Sequence, residues 1–164
     1  MKKVFSAMAI MAILSLAFMP LAAEQLPPIP SLPKHFEGIK NIKPDPSIPK
    51  EIADFIGEWE GAMVVRLRPG DLPREVRRAK LIVYQVTKDR VFFLYGVSDN
   101  PHTKSPASWR EIEADIIEQG GRKRFTFMTS YGASGEQARM DFFLENGLLF
   151  GTVKAASIEM KRVK

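Results

Sequence analysis

Few side chains in this sequence have the types and spacing that catalysis or metal binding requires. The two histidines, His35 and His102, lie far apart in the chain, and there is no cysteine. No pair of His or Cys ligands therefore stands at metal-binding spacing. Ser134 is followed two places later by Glu136 rather than by the glycine of a G-x-S-x-G nucleophile elbow. We expect no metal, no cofactor and no catalytic set, and hence a protein that is not an enzyme.

Two serines precede a lysine by three residues, the spacing used by some serine acyl-transfer enzymes. They are Ser31 with Lys34 and Ser47 with Lys50. That chemistry needs both side chains on one turn of helix. A proline lies within each interval, and proline removes a backbone donor and disfavours helix before it. We therefore exclude this interpretation for both pairs.

Three carboxylates alternate along one predicted strand. Glu111, Glu113 and Asp115 would stand about 7 Å apart on one strand face, a separation that falls within the range of inverting glycosidases. Pairing across Gly120-Gly121 puts them on the polar face of the hairpin, in water. Nothing there would exclude solvent or raise one pKa, so a solvated face is the better interpretation.

The segments that would position any site are short and rich in β-branched and aromatic residues. They begin after Phe55 and are separated by turn signals, which predicts an all-β domain. An up-and-down antiparallel arrangement of eight such strands closes into a barrel. The predicted strands are 57–67, 79–87, 90–97, 109–118, 123–130, 137–145, 148–154 and 156–163.

The connections between these strands alternate in length. Three are two-residue turns, Lys88-Asp89, Gly120-Gly121 and Asn146-Gly147. The last two supply the positive φ angles that tight hairpins need. In a meander, alternate connections lie at the same end, so the long connections 68–78, 98–108 and 131–136 gather at the other end. This layout predicts a cup. Both faces of the second and third strands are apolar, so the pattern does not show which of their faces is the inner one.

Short motifs resemble those of a known superfamily. Gly57-Glu58-Trp59-Glu60-Gly61 resembles the G-x-W-x-G start of the first strand in the calycins, which include the lipocalins. The last strand resembles that family's closing strand, whose arginine, here Arg162, lies across the tryptophan. The chain is also similar to a group of uncharacterised bacterial exported domains with a mid-chain Trp-Arg strand, here Trp109-Arg110. The resemblance covers about residues 50–164 and implies a lipocalin-like barrel closed by Trp59 and Arg162.

The first 23 residues have the pattern of a secretory signal peptide. Lys2 and Lys3 precede an apolar run from Val4 to Phe18, and Ala23 stands at the expected cleavage point. The run is shorter than the roughly 20 residues of a spanning helix. We expect an exported protein, periplasmic or secreted, that does not span the membrane. An uncleaved N-terminal anchor is the alternative.

Residues 24–49 are dominated by proline. Seven of the twelve prolines lie between Pro27 and Pro49, and this density prevents both strand pairing and helix formation. We expect a flexible tail that serves as a spacer or docks a protein partner. One or two helical turns from Lys50 to Ile56 then lead into the barrel domain over 50–164.

The first long connection is locally basic. Arg68, Arg74, Arg77 and Arg78 lie in it, and at the rim of a cup they would favour an anionic or amphiphilic guest. A rim that is merely soluble is the alternative. Without residues 1–23 the net charge of +5 falls to +3, which does not indicate nucleic-acid binding.

These patterns favour a binding module that takes a small, partly apolar molecule through the long-loop end. Two alternatives stay open. One is a structural or interaction domain of the cell envelope with a filled barrel, contacting partners through the tail or through Phe143 and Phe150. The other is a barrel-type isomerase or lyase. In the binding module, the cavity would be lined by Met63, Val65, Phe127 and Phe142.

Overall fold

Eight antiparallel strands follow one another along the chain. The structure, a computed structural model, describes residues 26–39, 43–66, 75–100, 106–131 and 135–163; the predicted signal peptide lies outside these residues. The strands are β1 (Gly57–Val65), β2 (Glu75–Val86), β3 (Arg90–Val97), β4 (Ser108–Gln119), β5 (Arg122–Tyr131), β6 (Glu136–Glu145), β7 (Leu148–Val153) and β8 (Ala156–Arg162).

The eight strands form a closed barrel in up-and-down order. Each strand pairs with the next one in the chain, and β1 pairs with β8. The closing register sets Trp59 opposite Arg162 and Val65 opposite Ala156. Closure leaves no unpaired sheet edge. The predicted all-β, eight-stranded antiparallel barrel is confirmed.

Strand β2 begins four residues earlier than the sequence predicts. Its register with β1 runs from Gly57 opposite Val83 to Val65 opposite Glu75, so the hairpin pairs along the whole of β1. Arg77 and Arg78, expected in a rim loop, are therefore strand residues whose side chains point to opposite faces. Prolines and charges nearby in the sequence predicted a loop, but the pairing with β1 extends β2 back to Glu75.

The two strongest turn predictions have the expected backbone. Gly120 and Gly121 have φ angles of 62° and 72°, and Asn146 and Gly147 have 51° and 77°. Positive φ at both central residues is the signature of the hairpin turn that matches strand twist. These turns lie at one end of the barrel, with the 88–89 turn.

A bulge decides which sides of β2 and β3 face inward. The β2–β3 register shifts between Val83 and Gln85, so the period-two alternation is interrupted once. Val83 and Val86 consequently both point inward, opposite Phe93 and Val91. Sequence alternation alone could not resolve these two strands because an extra residue breaks the pattern.

The short-turn end is closed by the segment that precedes β1. Helix α1 (Lys50–Ala53) carries the buried Ile52, and the following Phe55 is 1 % exposed. The Phe55 ring packs edge-on against Phe125, with ring centres 5.1 Å apart. The short helical turn predicted before the barrel is thus present and covers its closed end.

Both glycines of the G-x-W-x-G sequence have a steric role. Gly57 has φ 134°, a conformation that side chains rarely adopt, and a β-carbon there would overlap the Arg162 guanidinium. A β-carbon on Gly61 would overlap the backbone carbonyl of Glu159 in β8. The barrel therefore closes between β1 and β8 only because position 61 has no side chain.

Residues 26–32, before α1, lie along the outside of the barrel. A single 3-10 turn spans Lys34–Phe36, and the indole Nε1–H of Trp109 in β4 donates to the carbonyl of Pro30 over 2.8 Å. The flexibility of residues 24–49 stays a prediction, to which the structure adds a contact that proline content does not indicate. No helix among the described ranges is long and apolar enough to cross a membrane.

Candidate ligand-binding site

The closed end of the barrel interior is occupied by Trp59 and Arg162. The Trp59 side chain is 1 % exposed and donates its indole N–H to the Phe55 carbonyl over 2.9 Å. The Arg162 guanidinium lies over the indole, with its carbon 4.3 Å from the ring centre. Its nitrogens also donate to the carbonyls of Asp54, at 2.6 Å, and Ile56. The charge thus meets a π face and two carbonyls, while the residue as a whole stays exposed at the closed end of the barrel.

An aromatic cluster fills the interior next to this closure. Phe125 stacks on Phe142 with centres 5.0 Å apart and touches Phe93 at 5.2 Å, while Phe127 stacks on Phe142 at 6.3 Å. Phe142 is fully buried and Phe127 is 9 % exposed. Both were predicted to line a cavity. Their rings lie in the buried core and stack on each other, so neither ring is free of aromatic contacts as an open cavity wall would be.

Met63 and Val65 lie farther along the inner face, toward the long connections. Both side chains are partly buried and pack against the core, as does Val97 of β3. The Tyr95 hydroxyl lies 4.0 Å from the Met63 sulfur. The connections at this end, residues 67–74, 101–105 and 132–134, are outside the described ranges, and Arg68 and Arg74 lie among them. The interior therefore changes from fully buried aromatic rings to half-buried apolar side chains along its axis.

Arg77 belongs to the inner face of this end. It pairs with Met63, whose side chain points inward. Its Nε–H donates to the Ser98 carbonyl over 2.9 Å, and Nη2 donates to the same oxygen. This anchors the guanidinium to the end of β3 through Nε and Nη2. Arg77 is therefore a candidate anion contact, as the sequence predicts, but on a strand.

Arg110 is a second cation on the inner face. It was not among the site residues predicted from the sequence. It pairs with Tyr95, and its neighbours along β4, Ile112 and Ala114, point inward at every second position. Extending that alternation by one step would have placed Arg110 inside. Arg110 lies in the predicted strand 109–118, but the inward face of that strand was assigned only from Ile112 onward.

Tyr95 connects the two arginines electrostatically. Burial raises the pKa of its hydroxyl, while the positive charges of Arg77 and Arg110 act to lower it, and burial prevails. The hydroxyl is therefore protonated at neutral pH and can donate a hydrogen bond. A donor flanked by two cations, above apolar side chains, is suited to a carboxylate or another small anion that carries an apolar chain.

Arg78, the other predicted rim residue that the structure describes, lies on the outer wall of the barrel. Arg78 points away from the interior, and its backbone N–H donates to the Ser98 hydroxyl over 3.0 Å. Its side chain borders a groove outside the barrel. The correction has a simple physical reason, since adjacent residues of a strand face opposite sides. Only one of the two described rim arginines can serve an interior site.

The alternating carboxylates of β4 lie outside, as predicted. Glu111 accepts the Tyr84 hydroxyl over 2.6 Å, and Glu113 forms an ion pair with Arg90. Asp115 lies 3.9 Å from the same guanidinium. All three acids are exposed. Each has a cation or donor beside it in solvent, which is the arrangement of a solvated strand face.

No family model, curated protein or solved structure matches this chain. The described residues also contain no group of three or more His, Cys, Asp or Glu side chains that could hold a metal ion. The candidate site is therefore defined by its own geometry: Tyr95, Arg77 and Arg110 around the partly buried Met63 and Val65.

Proposed function

We propose that this chain is an exported, lipocalin-like binding module for a small amphiphile with an anionic head. The guest enters at the end of the barrel that carries the long connections. Its apolar part contacts Met63 and Val65, and its head meets Arg77, Arg110 and the Tyr95 hydroxyl. The observation that carries this proposal is the placement of two cations and a protonated phenol beside the apolar Met63 and Val65, at the long-connection end of the inner face.

The charge pattern of the inner face supports this guest over a neutral one. Cations inside a barrel are costly unless they are paired or remain in contact with water. The Arg77 guanidinium is held by one carbonyl, and Arg110 is exposed. Both can keep their hydration when the barrel is empty and exchange it for a carboxylate when it is filled. A fully apolar guest would gain nothing from either arginine.

The proposal is tested by comparing dodecanoate with dodecanol as probes in calorimetric titrations. The carboxylate is expected to bind more tightly than the alcohol. Arg110→Gln should weaken dodecanoate binding about tenfold, since a hydrogen bond to a charged group contributes roughly 1.5–3 kcal/mol, and leave dodecanol unchanged. Arg110 is chosen because Arg77 also holds Ser98.

A matched control comes from the opposite end of the barrel. Arg122 is a half-exposed arginine that pairs with Glu145 at 2.7 Å, and Arg122→Gln should leave both affinities unchanged. Equal binding of the two probes, or equal losses in the two variants, contradicts an anion site at Arg110.

Failure of both probes to bind would favour the second candidate, an interaction domain with a filled barrel. The packed aromatic interior supports it, as does a pair of rings on the outer wall. Phe143 and Phe150 stack with centres 5.6 Å apart, and the Arg124 guanidinium lies 4.8 Å from the Phe143 ring centre. These rings are half-buried, so their contact patch is smaller than an exposed pair would provide.

Export is tested separately by the mass of the protein isolated outside the cytoplasm. A chain that begins at or next to Glu24 is expected from the tripartite signal pattern. A chain that retains Met1 would contradict cleavage and restore the anchor interpretation.

A further inference from the structure

The outer wall of the barrel carries a second apolar surface, separate from the core. Ile82 and Leu94 pair across β2 and β3 and point outward, since their neighbours Leu81 and Phe93 fill the interior. Yet Ile82 is 8 % exposed and Leu94 is fully buried. Neither belongs to the core cluster inside the barrel. Something outside the sheet must therefore cover this face.

The proline-rich segment 26–32 lies beside the Ile82 part of this face. Together with the outer sides of β1, β2 and β8 it encloses an open groove of about 800 Å³, to which Ile82 and Trp109 contribute. The facing wall is not purely apolar. Lys80 lies 2.7 Å from Glu60 and 3.1 Å from Glu58, both within the groove.

Trp109 holds the segment by its backbone. The indole N–H donates to the Pro30 carbonyl over 2.8 Å across 79 residues of sequence. The Pro30 carbonyl is available as an acceptor because an extended, proline-rich backbone has no internal hydrogen bonds. An aromatic groove whose indole donates to such a carbonyl is a recurring way to recognise proline-rich peptides.

The Trp109 ring packs against a glycine of the neighbouring strand. The ring lies against Gly96 so closely that a β-carbon there would stand 2.8 Å from two ring atoms. The ring can therefore lie flat on the β3 backbone only because that residue is glycine. The backbone of Pro33, at φ −56° and ψ 140°, has the polyproline conformation that such a surface requires.

We infer that the outer wall around Trp109 is a recognition surface for a proline-rich extended peptide, and that residues 26–32 of the same chain are its resident ligand. The contact is made by a segment that pairs with no strand. It is therefore separable from the barrel and replaceable by the same sequence supplied as a free peptide. Tethering provides a millimolar effective concentration, so the surface is occupied without high intrinsic affinity.

The two indole N–H groups give an experiment with an internal control. In the otherwise intact chain, Ile29→Asp places a charge in the segment, while Gly38→Asp adds the same charge where a side chain meets no atom within 4 Å. Ile29→Asp should accelerate hydrogen exchange at the Trp109 indole by at least about tenfold. The Trp59 indole, bonded inside the barrel, should stay protected in both variants.

Restoration in trans completes the test. A peptide of residues 26–34 at millimolar concentration should restore Trp109 protection in the Ile29→Asp variant, and the peptide with the same substitution should not. If neither peptide restores protection, the segment is a fixed part of the fold and the inference is wrong. If Trp109 protection in the unmodified protein disappears on dilution as a dimer dissociates, the segment comes from a second copy and the intramolecular assignment is wrong.

A variant that fails to fold is recognised by loss of Trp59 protection. In that case Trp109→Phe is used instead of Ile29→Asp, because it keeps a ring on Gly96 but removes the indole donor. Faster tryptic cleavage after Lys34 than in the unmodified protein supports the inference, and unchanged cleavage overturns it.

Discussion

The two tryptophans make the same hydrogen bond in regions of different character. Trp59 donates to the carbonyl of Phe55, four residues earlier, inside the barrel. Trp109 donates to the carbonyl of Pro30, 79 residues earlier, on the outer wall. The first indole is enclosed by the strands, α1 and a stacked arginine. The second is covered by a segment that pairs with no strand.

This difference separates what builds the barrel from what is added to it. Contacts inside the closed end involve β1, β8 and the helix, so removing one loosens several elements at once. Contacts on the outer wall join the segment to one strand face. The same donor and acceptor can thus stabilise the fold in one place and make a separable docking contact in the other.

The largest difference is expected between the two tryptophan truncations. Trp59→Ala should lower the free energy of unfolding by about 3–5 kcal/mol, because it leaves a large cavity and a charge without its π face. Trp109→Ala should cost less than about 2 kcal/mol, the value of one hydrogen bond and a half-buried ring. Urea unfolding measures both. Equal losses would mean that the outer segment is as integral as the core.

The next largest effect on the free energy of unfolding is expected at Arg162, the arginine that stacks on Trp59. Arg162→Ala should destabilise the barrel by about 1.5–3 kcal/mol, since two carbonyls lose a charged donor and the indole loses its cover. Arg77 donates to the Ser98 carbonyl and is therefore unsuitable as a surface comparison. Arg122→Ala, in a half-exposed pair with Glu145, should cost less than about 1 kcal/mol. If the two variants melt alike, the closure does not depend on Arg162.

Much of the barrel could be predicted because its signals are local. Asn146-Gly147 and Gly120-Gly121 specify tight turns, and alternation on either side of them assigns the faces of β4 to β7. The pairing of Trp59 with Arg162 follows from closure once eight strands are counted. These inferences need only neighbouring residues and the period of two.

The rest depends on information that alternation does not contain. The bulge between Val83 and Gln85 shifts the pattern without a proline or glycine to mark it. Arg110 lies in the predicted strand 109–118, on the face of Ile112 and Ala114, but a cation on an apolar face departs from the polar-outside pattern that assigns faces. The contact between Trp109 and Pro30 joins positions 79 residues apart and is made by a backbone carbonyl, which has no side-chain signature in the sequence.

A smaller effect is expected from the glycine beneath Trp109. Gly96→Ala should push the ring away from β3 and break its bond to Pro30, at a cost of about 1 kcal/mol. Indole exchange at Trp109 should accelerate while that at Trp59 does not change. Gly38→Ala, in open space, is the control. Unchanged Trp109 exchange in Gly96→Ala would show that the segment moves together with the Trp109 ring. The bond to Pro30 would then not depend on the contact between the ring and residue 96.

The smallest effect on the free energy of unfolding is expected only at alkaline pH. It concerns one tyrosine on each face of the sheet, Tyr95 inside the barrel and Tyr84 outside. Burial raises the pKa of Tyr95 inside, and burial together with the hydrogen bond to Glu111 raises the pKa of Tyr84 outside. A raised pKa means that the folded state keeps a proton which the unfolded state releases near pH 10. The stabilisation is therefore complete below pH 10 and is lost as the pH rises toward the folded pKa. Tyr84→Phe and Tyr95→Phe should each flatten the decline of unfolding free energy above pH 10 and leave its slope at pH 7–9 unchanged. A flattened decline in Tyr95→Phe alone would show that Tyr84 is neither buried nor bonded to Glu111 in solution as the structure has it, and would contradict the predicted likeness of the two tyrosines.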